Sequence, residues 1–161
     1  MKQSSELNFY KNILDDLTNK EYITKMTSDI AFYKLEWYIN KADGGRARYN
    51  LFNISIIILT AIIPLVNVFN DNTKIINSAI AVLINILISV SYLKNYKLSW
   101  LRYRQAVENI GDGLMEILIK CSESSEKKNY DDEVLQIIKN ISKADVDNWN
   151  KHIEQKNEKT K

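Results

Sequence analysis

The residues that could perform catalysis or bind a metal ion are few and far apart in this sequence. His152 is the single histidine and Cys121 the single cysteine among 161 residues. A zinc site therefore lacks ligands, and an intramolecular disulfide is excluded. Asp15 and Asp16, like the acidic run 131–133, fit solvated charges or helix ends. The sequence contains neither a glycine-rich phosphate loop nor a serine nucleophile motif, so we predict no enzyme, no metal and no cofactor.

A second group of residues combines charges with aromatic rings. Within SYLKNYKLSWLRYRQAVENI (91–110), Arg104 and Glu108 are four residues apart. They can therefore pair along one helix, for roughly a few tenths of a kcal/mol when exposed and more when buried against tryptophan. The predicted cluster consists of Trp37, Trp100, Tyr103, Arg104 and Glu108. It either transmits a rearrangement of soluble helices to a membrane span or acts as a static brace, and both interpretations stay open.

Two uncharged apolar runs occupy the middle third of the chain. One covers the 22 residues 49–70 and the other covers the 19 residues 75–93. As helices they would reach about 33 and 28 Å, against about 30 Å of membrane hydrocarbon. Buried helices of a soluble bundle would normally carry polar residues on a solvent face. The runs therefore predict two transmembrane helices, joined by an external turn at 71–74 as an antiparallel hairpin.

The distribution of positive charge predicts the orientation of this hairpin. The turn holds Lys74 alone, whereas eight cations lie just outside the two runs: Lys34, Lys41, Arg46, Arg48, Lys94, Lys97, Arg102 and Arg104. The positive-inside rule then places both soluble ends in the cytoplasm and predicts a multi-pass protein of the inner, cytoplasmic membrane. Tyr92, Tyr96 and Trp100 would lie near the lipid headgroups, where amphipathic rings are favoured.

Polar and small residues fall on one face of each predicted span. At about 100° per residue they form a stripe on the first span (Asn53, Thr60, Pro64, Asn67) and on the second (Ser78, Ala81, Asn85, Ser89, Tyr92, Tyr96). Asn85 lies at mid-membrane, where an unpaired amide is expensive. The stripes either pack helices together, which is the interpretation we favour, or line a pore. A pore requires oligomerisation, because one hairpin cannot enclose a channel. Pro64 also predicts a kink near Thr60.

The outer thirds predict amphipathic helices that pack into a cytoplasmic bundle. In residues 1–48, apolar faces are predicted at Leu7, Tyr10, Leu14 and Leu17 and, on a second helix that ends at 43–45, at Ile23, Met26, Ile30, Tyr33 and Trp37. In residues 94–155, a heptad seam of Tyr103, Val107, Ile110, Leu114, Ile117 and Cys121 precedes a face of Val134, Ile138, Ile141, Trp149 and Ile153. Residues 156–161 are predicted to form a disordered tail.

Few helix-breaking residues interrupt these segments. The second span leads into the seam without a breaker, so one continuous helix is predicted from Ile75 through the seam, weakened only by Gly111 and Gly113. After a loop, Asp131 or Asp132 is expected to cap the last helix. The chain is thus predicted to be a single all-α membrane module.

This layout resembles the SLATT superfamily, two-transmembrane effector domains associated with SMODS nucleotidyltransferases and SLOG proteins in bacterial conflict systems. The resemblance rests on the pre-membrane segment YKLEWYINKADGGRARYN (33–50) and on WLRYRQAVENI (100–110), that is W-x-x-Y-R-x-x-x-E, and it covers roughly 33–118. It implies an effector that forms pores or disrupts membranes when triggered by a nucleotide second messenger. The sequence contains no separate SLOG domain, so sensing falls to the bundle or to a partner protein that makes or senses the messenger.

Three classes of function remain open. The first is a homo-oligomeric effector of an anti-phage or conflict system that permeabilises the inner membrane. The second is a non-conducting anchor or assembly module that holds a cytoplasmic partner at the lipid bilayer. The third is a soluble helical bundle. A net charge of +2 does not provide the field that binding to a nucleic-acid polymer requires.

Overall fold

The structure is a computed structural model that describes residues 2–69, 74–123 and 128–158. Its five helices are α1 (Lys2–Asn19), α2 (Lys25–Phe69), α3 (Lys74–Lys94), α4 (Tyr96–Glu123) and α5 (Asp131–Glu158), and none of these described residues forms a strand. The prediction of an all-α protein is confirmed. Of the predicted turn at 71–74, Lys74 begins α3 and the other residues lie outside the described ranges.

The chain divides into two units, which we call the bundle unit (Met1–Asn40 with Arg102–Lys161) and the apolar unit (Lys41–Leu101). In the bundle unit, side chains from α1, α2, α4 and α5 form one core. Its buried residues include Tyr10, Leu14, Leu17, Leu35, Ile39, Val107, Ile110, Leu114, Ile117, Cys121, Val134 and Ile138. The predicted apolar faces of α1, α4 and the start of α5 are thereby confirmed. Each fully buried aliphatic side chain of this kind contributes about 1.5–3 kcal/mol.

The C-terminal helix is longer than predicted. α5 continues to Glu158, so its backbone extends past residue 155 into the segment expected to be a disordered tail. The side chains of Trp149, His152 and Ile153 lie outside those that the structure describes.

The predicted buried face around the start of α2 is confirmed in part: Ile23 is buried, and Ile30 and Trp37 pack against the core, but its other two members are exposed. Met26 and Tyr33 are 74% and 64% exposed, whereas Ala31, Leu35 and Ile39 are buried. Both sets have helical spacing, so periodicity alone does not choose between them. The buried residues that the prediction did not include are, among others, Ala31, Leu35 and Ile39.

The predicted helix end at 43–45 is also wrong, because α2 runs without interruption from Lys25 to Phe69. A glycine ends a helix when it adopts a positive φ angle, and no described glycine does so. A Cβ atom on Gly45 would lie 3.2 Å from Cβ of Trp100. Gly45 therefore serves close packing within the apolar unit instead of ending a helix.

The predicted continuity of the second span with the following helix is wrong as well, because a turn at Asn95 separates α3 from α4. Asn95 has φ of 47°, its N–H donates to the carbonyl of Ser91 at 3.0 Å, and its own carbonyl accepts from the N–H of Ser99 at 3.1 Å. It thus closes one helix with a left-handed residue and opens the next. Asparagine is one of the few residues that tolerate this conformation.

The two glycines expected to weaken this helix lie inside α4 and do not interrupt it. A Cβ on Gly111 would lie 2.6 Å from the hydroxyl oxygen of Tyr10, and a Cβ on Gly113 would lie 2.7 Å from Cδ1 of Ile137. The absent side chains make room for α1 and α5, respectively. Packing explains both glycines.

Hydrogen bonds fix both ends of the short connection between α1 and α2. α1 ends in a Schellman motif, in which Glu21 has φ of 59° and the N–H of Tyr22 donates to the carbonyl of Leu17 at 2.9 Å. Thr24 then caps α2, since its hydroxyl oxygen accepts from the N–H of Thr27 at 3.3 Å.

The carboxylate of Asp131 does not take the role of N-cap of α5 that was predicted for it. One of its oxygens accepts from the N–H of Thr24 at 2.8 Å, and Asp131 is itself the first residue of α5. Tyr130 is the residue before the helix, and its carbonyl accepts the first helical hydrogen bond, from Val134 at 3.1 Å. Asp131 therefore connects the loop before α5 to the start of α2.

In the apolar unit, the contacts between α2 and residues 77–100 run in opposite order along the chain. Gly45 packs on Trp100, Phe52 lies 5.5 Å from Tyr96 between ring centroids, and Asn67 accepts a hydrogen bond of 2.5 Å from Asn77. Two helical segments, Lys25–Asn67 and Lys74–Glu123, are long and apolar enough to cross a membrane. Their most apolar windows have a mean hydropathy of 2.0 and contain no buried residue.

Candidate functional site: a polar face on the apolar unit

The two apolar helical segments contact each other through regularly spaced residues. Partly buried residues recur at intervals of four and three on α2 and of three and four on α3. We call these regularly spaced residues the seam: Phe52, Ile56, Leu59, Ile63 and Val66 with Asn77, Ile80, Ile84, Leu87 and Ser91. Other residues of the two helices, among them Asn53, Ser55, Ile62 and Val90, are also partly buried. Such spacing is typical of two helices that pack along one another at a shallow angle. Most of the seam is aliphatic, so apolar packing supplies the contact.

The predicted polar stripes lie beside the seam. Asn53, Thr60, Pro64 and Asn67 each follow a seam residue of α2, and Ser78, Ala81, Asn85 and Tyr92 each follow one of α3. One residue corresponds to a rotation of about 100° around a helix. Ser89 follows Leu87 by two residues. Thr60, Pro64, Asn67, Ser78, Asn85 and Ser89 are exposed, and Asn53 is half-buried.

Both stripes lie on the same side of the paired helices. The seams face each other, and each stripe is rotated from its seam in the same sense along the chain. The contacts between the helices run in opposite order along the chain, and for helices that contact in this order the same rotation turns both stripes toward one side. We call this surface the polar face, formed by Asn53, Thr60, Pro64, Ser78, Asn85 and Ser89.

The hydrogen bonds of these residues divide them into three groups. Asn67 bonds to Asn77 and so contributes to the contact between the helices. Thr60 and Ser78 donate to carbonyls of their own helix, those of Ile56 and Lys74, both at 2.8 Å. The amide of Asn85 is exposed in the middle of α3. In hydrocarbon, an unsatisfied polar group of this kind costs several kcal/mol, which favours a second polar surface or water against this face.

The predicted cluster around Arg104 is divided between the two units. In the bundle unit, the ring centroids of Trp37 and Tyr103 are 5.7 Å apart, and Tyr38 lies 4.9 Å from Trp37 and 6.2 Å from Tyr103. Trp100 belongs to the apolar unit, where the guanidinium of Arg46 lies 5.8 Å from its ring centroid. The structure therefore brings Trp37 and Tyr103 together and adds Tyr38, which the sequence did not single out.

Arg104 has two carboxylate partners, one of which was predicted. Its Nε lies 3.5 Å from Glu108, as the spacing of four residues suggested. Its Nη1 lies 2.8 Å from Glu6 of α1. The hydrogen bond to Glu6 is the largest influence that raises the pKa of Arg104 above its ordinary value. No local pattern could have identified Glu6, because 98 residues separate the two partners.

Burial raises the pKa of other groups of the bundle unit, Tyr38 and Cys121 among them. The pKa of Tyr38 is raised, chiefly because burial disfavours the phenolate. The pKa of the Cys121 thiol is likewise raised by burial, in agreement with its position on the core side of α4. Such a thiol is a poor nucleophile. Within the described ranges, no three His, Cys, Asp or Glu side chains come close enough to hold a metal ion.

Comparison with known proteins gives one match. Residues 34–113 match the model of a family described as Protein of unknown function (DUF4231). This region contains both apolar runs and the Arg104 cluster, and it nearly coincides with the stretch 33–118 that carries the resemblance to SLATT domains. No curated protein and no solved structure matches the chain.

Proposed function

We propose that this chain is a membrane effector whose copies assemble in the bilayer and permeabilise it. The apolar unit would cross the inner membrane as an antiparallel hairpin, with the bundle unit in the cytoplasm. The observation that carries the proposal is the polar face. Two stripes of polar residues from different helices share one side of the paired helices, and that side is exposed on a single copy.

Membrane insertion is supported by the exposure of the apolar helices as well as by their composition. The core helices of a soluble bundle lose their apolar surface to neighbouring helices, whereas the most apolar windows of α2 and α3 contain no buried residue. Exposed aliphatic side chains such as Ile57, Ile75 and Leu93, which are 66%, 84% and 61% exposed, would find their natural partner in lipid. The cations beyond both runs favour cytoplasmic ends.

The polar face supports assembly of several copies over a lone hairpin. In a bilayer, Asn85 would face hydrocarbon unless another copy or water satisfied its amide. Small and polar residues commonly mediate contacts between membrane helices. A ring of hairpins with polar faces turned inward would satisfy these groups with water and create a conduction path. This arrangement unites the two interpretations of the stripes that the sequence left open.

The trigger that we propose follows from the resemblance to SLATT domains. A nucleotide second messenger, or the partner protein that makes or senses it, would act on the bundle unit in a bacterial conflict system. The Arg104 cluster would then connect the bundle unit to the second span. Glu108→Gln tests this step. Loss of permeability with abundance and assembly unchanged would support a joint, whereas loss of abundance would support a static brace.

The function can be tested by dye and ion permeability of bacterial cells that express the chain with its neighbouring genes. We expect wild-type protein to depolarise the membrane and Asn85→Leu to abolish the effect at matched membrane abundance. Asn85→Gln, which keeps an amide, and Ile86→Leu, which alters an exposed residue of α3 away from the polar face, should remain active. Equal leakage in Asn85→Leu would contradict the role of the polar face. Absence of leakage in every combination would favour the non-conducting anchor.

A further inference from the structure

The apolar unit contains a crevice where its apolar runs meet the flanking cations. Its volume is about 280 Å³, and it lies between the start of the first run and the region around Asn95. Its lining residues are Tyr49, Asn53, Ile56, Ile88, Ser91, Tyr92, Asn95, Tyr96 and Lys97. We propose that on a single copy, before assembly turns the polar face inward, this crevice binds the headgroup of an anionic phospholipid. The proposal rests on the membrane insertion proposed above.

The lining is divided in the manner that a phospholipid requires. Ile56 and Ile88 are aliphatic lining residues, whereas the side chains of three others, Tyr49, Asn95 and Lys97, end in a hydroxyl, an amide and an ammonium group. Hydroxyl and amide groups donate hydrogen bonds to phosphate oxygens, and an ammonium group adds a charge-assisted bond. Acyl chains would follow the aliphatic side.

The position of the crevice matches the depth of lipid headgroups in an inserted hairpin. Arg48 directly precedes Tyr49 and the first uncharged run, and Lys94 directly follows the second run. Lysine and tyrosine are favoured at this level because their apolar parts contact hydrocarbon while their polar ends reach water. The crevice therefore opens at the cytoplasmic boundary of the hydrocarbon, where phosphate groups lie.

The charge around the crevice favours an anion. Between Asp43 and Glu108 the sequence contains one acidic residue, Asp71, which falls between the two apolar runs in the sequence. In the same interval, the residues on the crevice side of the runs include Arg46, Arg48 and Lys97. Anionic lipids of the cytoplasmic leaflet are attracted by such basic groups, by about 1 kcal/mol for each. A zwitterionic headgroup gains less because its own cation is repelled.

The shape of the crevice depends on local structure at two residues. Asn95 interrupts the helix between α3 and α4 with its left-handed conformation. The ring of Tyr96 packs on Phe52 with centroids 5.5 Å apart, which holds this side of the crevice against α2. The site is thus built by the turn that replaces the continuous helix predicted from sequence.

The test is lipid retention by the full chain in nanodiscs that contain one copy each and a minor fraction of phosphatidylglycerol in phosphatidylcholine. After release of the protein into the gas phase, native mass spectrometry would count the lipids that remain bound. We expect phosphatidylglycerol to be enriched over its bulk fraction and its retention to fall about tenfold in Lys97→Gln. Lys97→Arg should restore it. Lys94→Gln is the matched control. This substitution removes the same charge from the same region, but Lys94 does not line the crevice.

Three results would overturn the lipid site. Equal losses in Lys94→Gln and Lys97→Gln would indicate diffuse attraction of charge, and absence of enrichment would indicate no anion preference. Displacement of phosphatidylglycerol by excess inorganic phosphate, together with phosphate binding in lipid-free detergent, would indicate a site for a soluble phosphate. In each case carbonate-resistant insertion of the chain would leave the proposed function standing. Failure to insert would refute both proposals.

Discussion

The two carboxylates that contact Arg104 should contribute unequally to the free energy of unfolding. Glu6 lies 2.8 Å from Nη1 of Arg104 and its side chain is 24% exposed, whereas Glu108 lies 3.5 Å from Nε and is 60% exposed. Solvent screens the more exposed pair and leaves it worth roughly 0.3 kcal/mol. The Glu6 pair joins α1 to α4 and is partly screened, since Arg104 itself is 39% exposed.

The expected magnitudes follow from these exposures. The pair with Glu6 lies between a surface ion pair, worth at most about 1 kcal/mol, and a buried pair, whose disruption costs about 3–5 kcal/mol. Because a third or more of Arg104 is exposed, we expect a coupling of about 1 kcal/mol with Glu6. For a chain of this size, Glu6→Gln should then lower Tm by about 2–4 °C, and Glu108→Gln by about 1 °C.

The assay is a pair of double-mutant cycles on the full chain in detergent. Unfolding would be measured for Glu6→Gln, Glu108→Gln and Arg104→Gln and for the two double variants that include Arg104→Gln. The coupling energy is the difference between each double effect and the sum of the two single effects, and for a stabilising pair the double effect is smaller than that sum. A coupling of Arg104 with Glu108 as large as that with Glu6 would refute the reasoning from distance and exposure. High salt should weaken the Glu108 coupling more.

Three further predictions concern the bundle unit and the start of the apolar unit. Partial desolvation acts to raise the pKa of Asp131, but hydrogen bonds led by that from Thr24 hold this pKa below its ordinary value of 3.8. The stabilising effect of the Asp131 carboxylate should be complete above about pH 4 and should decline as pH falls through the lower native pKa. Asp131→Asn should therefore flatten the acid side of the curve of unfolding free energy against pH. Glu21 has φ of 59°, so Glu21→Gly should be more stable than Glu21→Ala by about 1 kcal/mol in chemical denaturation, and equal stabilities would argue against the left-handed conformation. Gly111→Ala should lower the free energy of unfolding by about 1 kcal/mol or more, because the new Cβ would meet Tyr10 of α1. Gly44→Ala, with no atom within 4 Å of the new Cβ, should raise the free energy of unfolding by up to about 1 kcal/mol. Thermal unfolding that shifts in the same direction for both variants would contradict this account.

Features that depend on neighbouring residues of the same helix were predictable from the sequence. The seam of α4, for example Val107, Leu114 and Ile117, is buried as its spacing predicted. The two apolar runs form the long apolar helices that were expected. The stripes on each helix were also visible, because helical geometry alone fixes which residues share a face.

Features that depend on competition between distant segments were not predictable. Met26 and Leu35 belong to alternative faces of the same helix, and the packing of the other three helices selects the face of Leu35. Glu6 and Arg104 meet because α1 and α4 pack together, which no spacing in the sequence encodes. The functions of Gly45 and Gly111 were mistaken for the same reason, since a glycine required by a close neighbour resembles a helix breaker until the neighbour is known.

The sequence by itself determined the class of this protein: an all-helical chain with two apolar segments that are long enough to cross a membrane. Tertiary structure decided which side of each segment remains exposed. The seam is aliphatic and turns both stripes to one side of the paired helices, and the turn at Asn95 forms the crevice beside them. The physical reason is that helix formation and hydropathy are local properties, whereas exposure results from the packing of all segments at once.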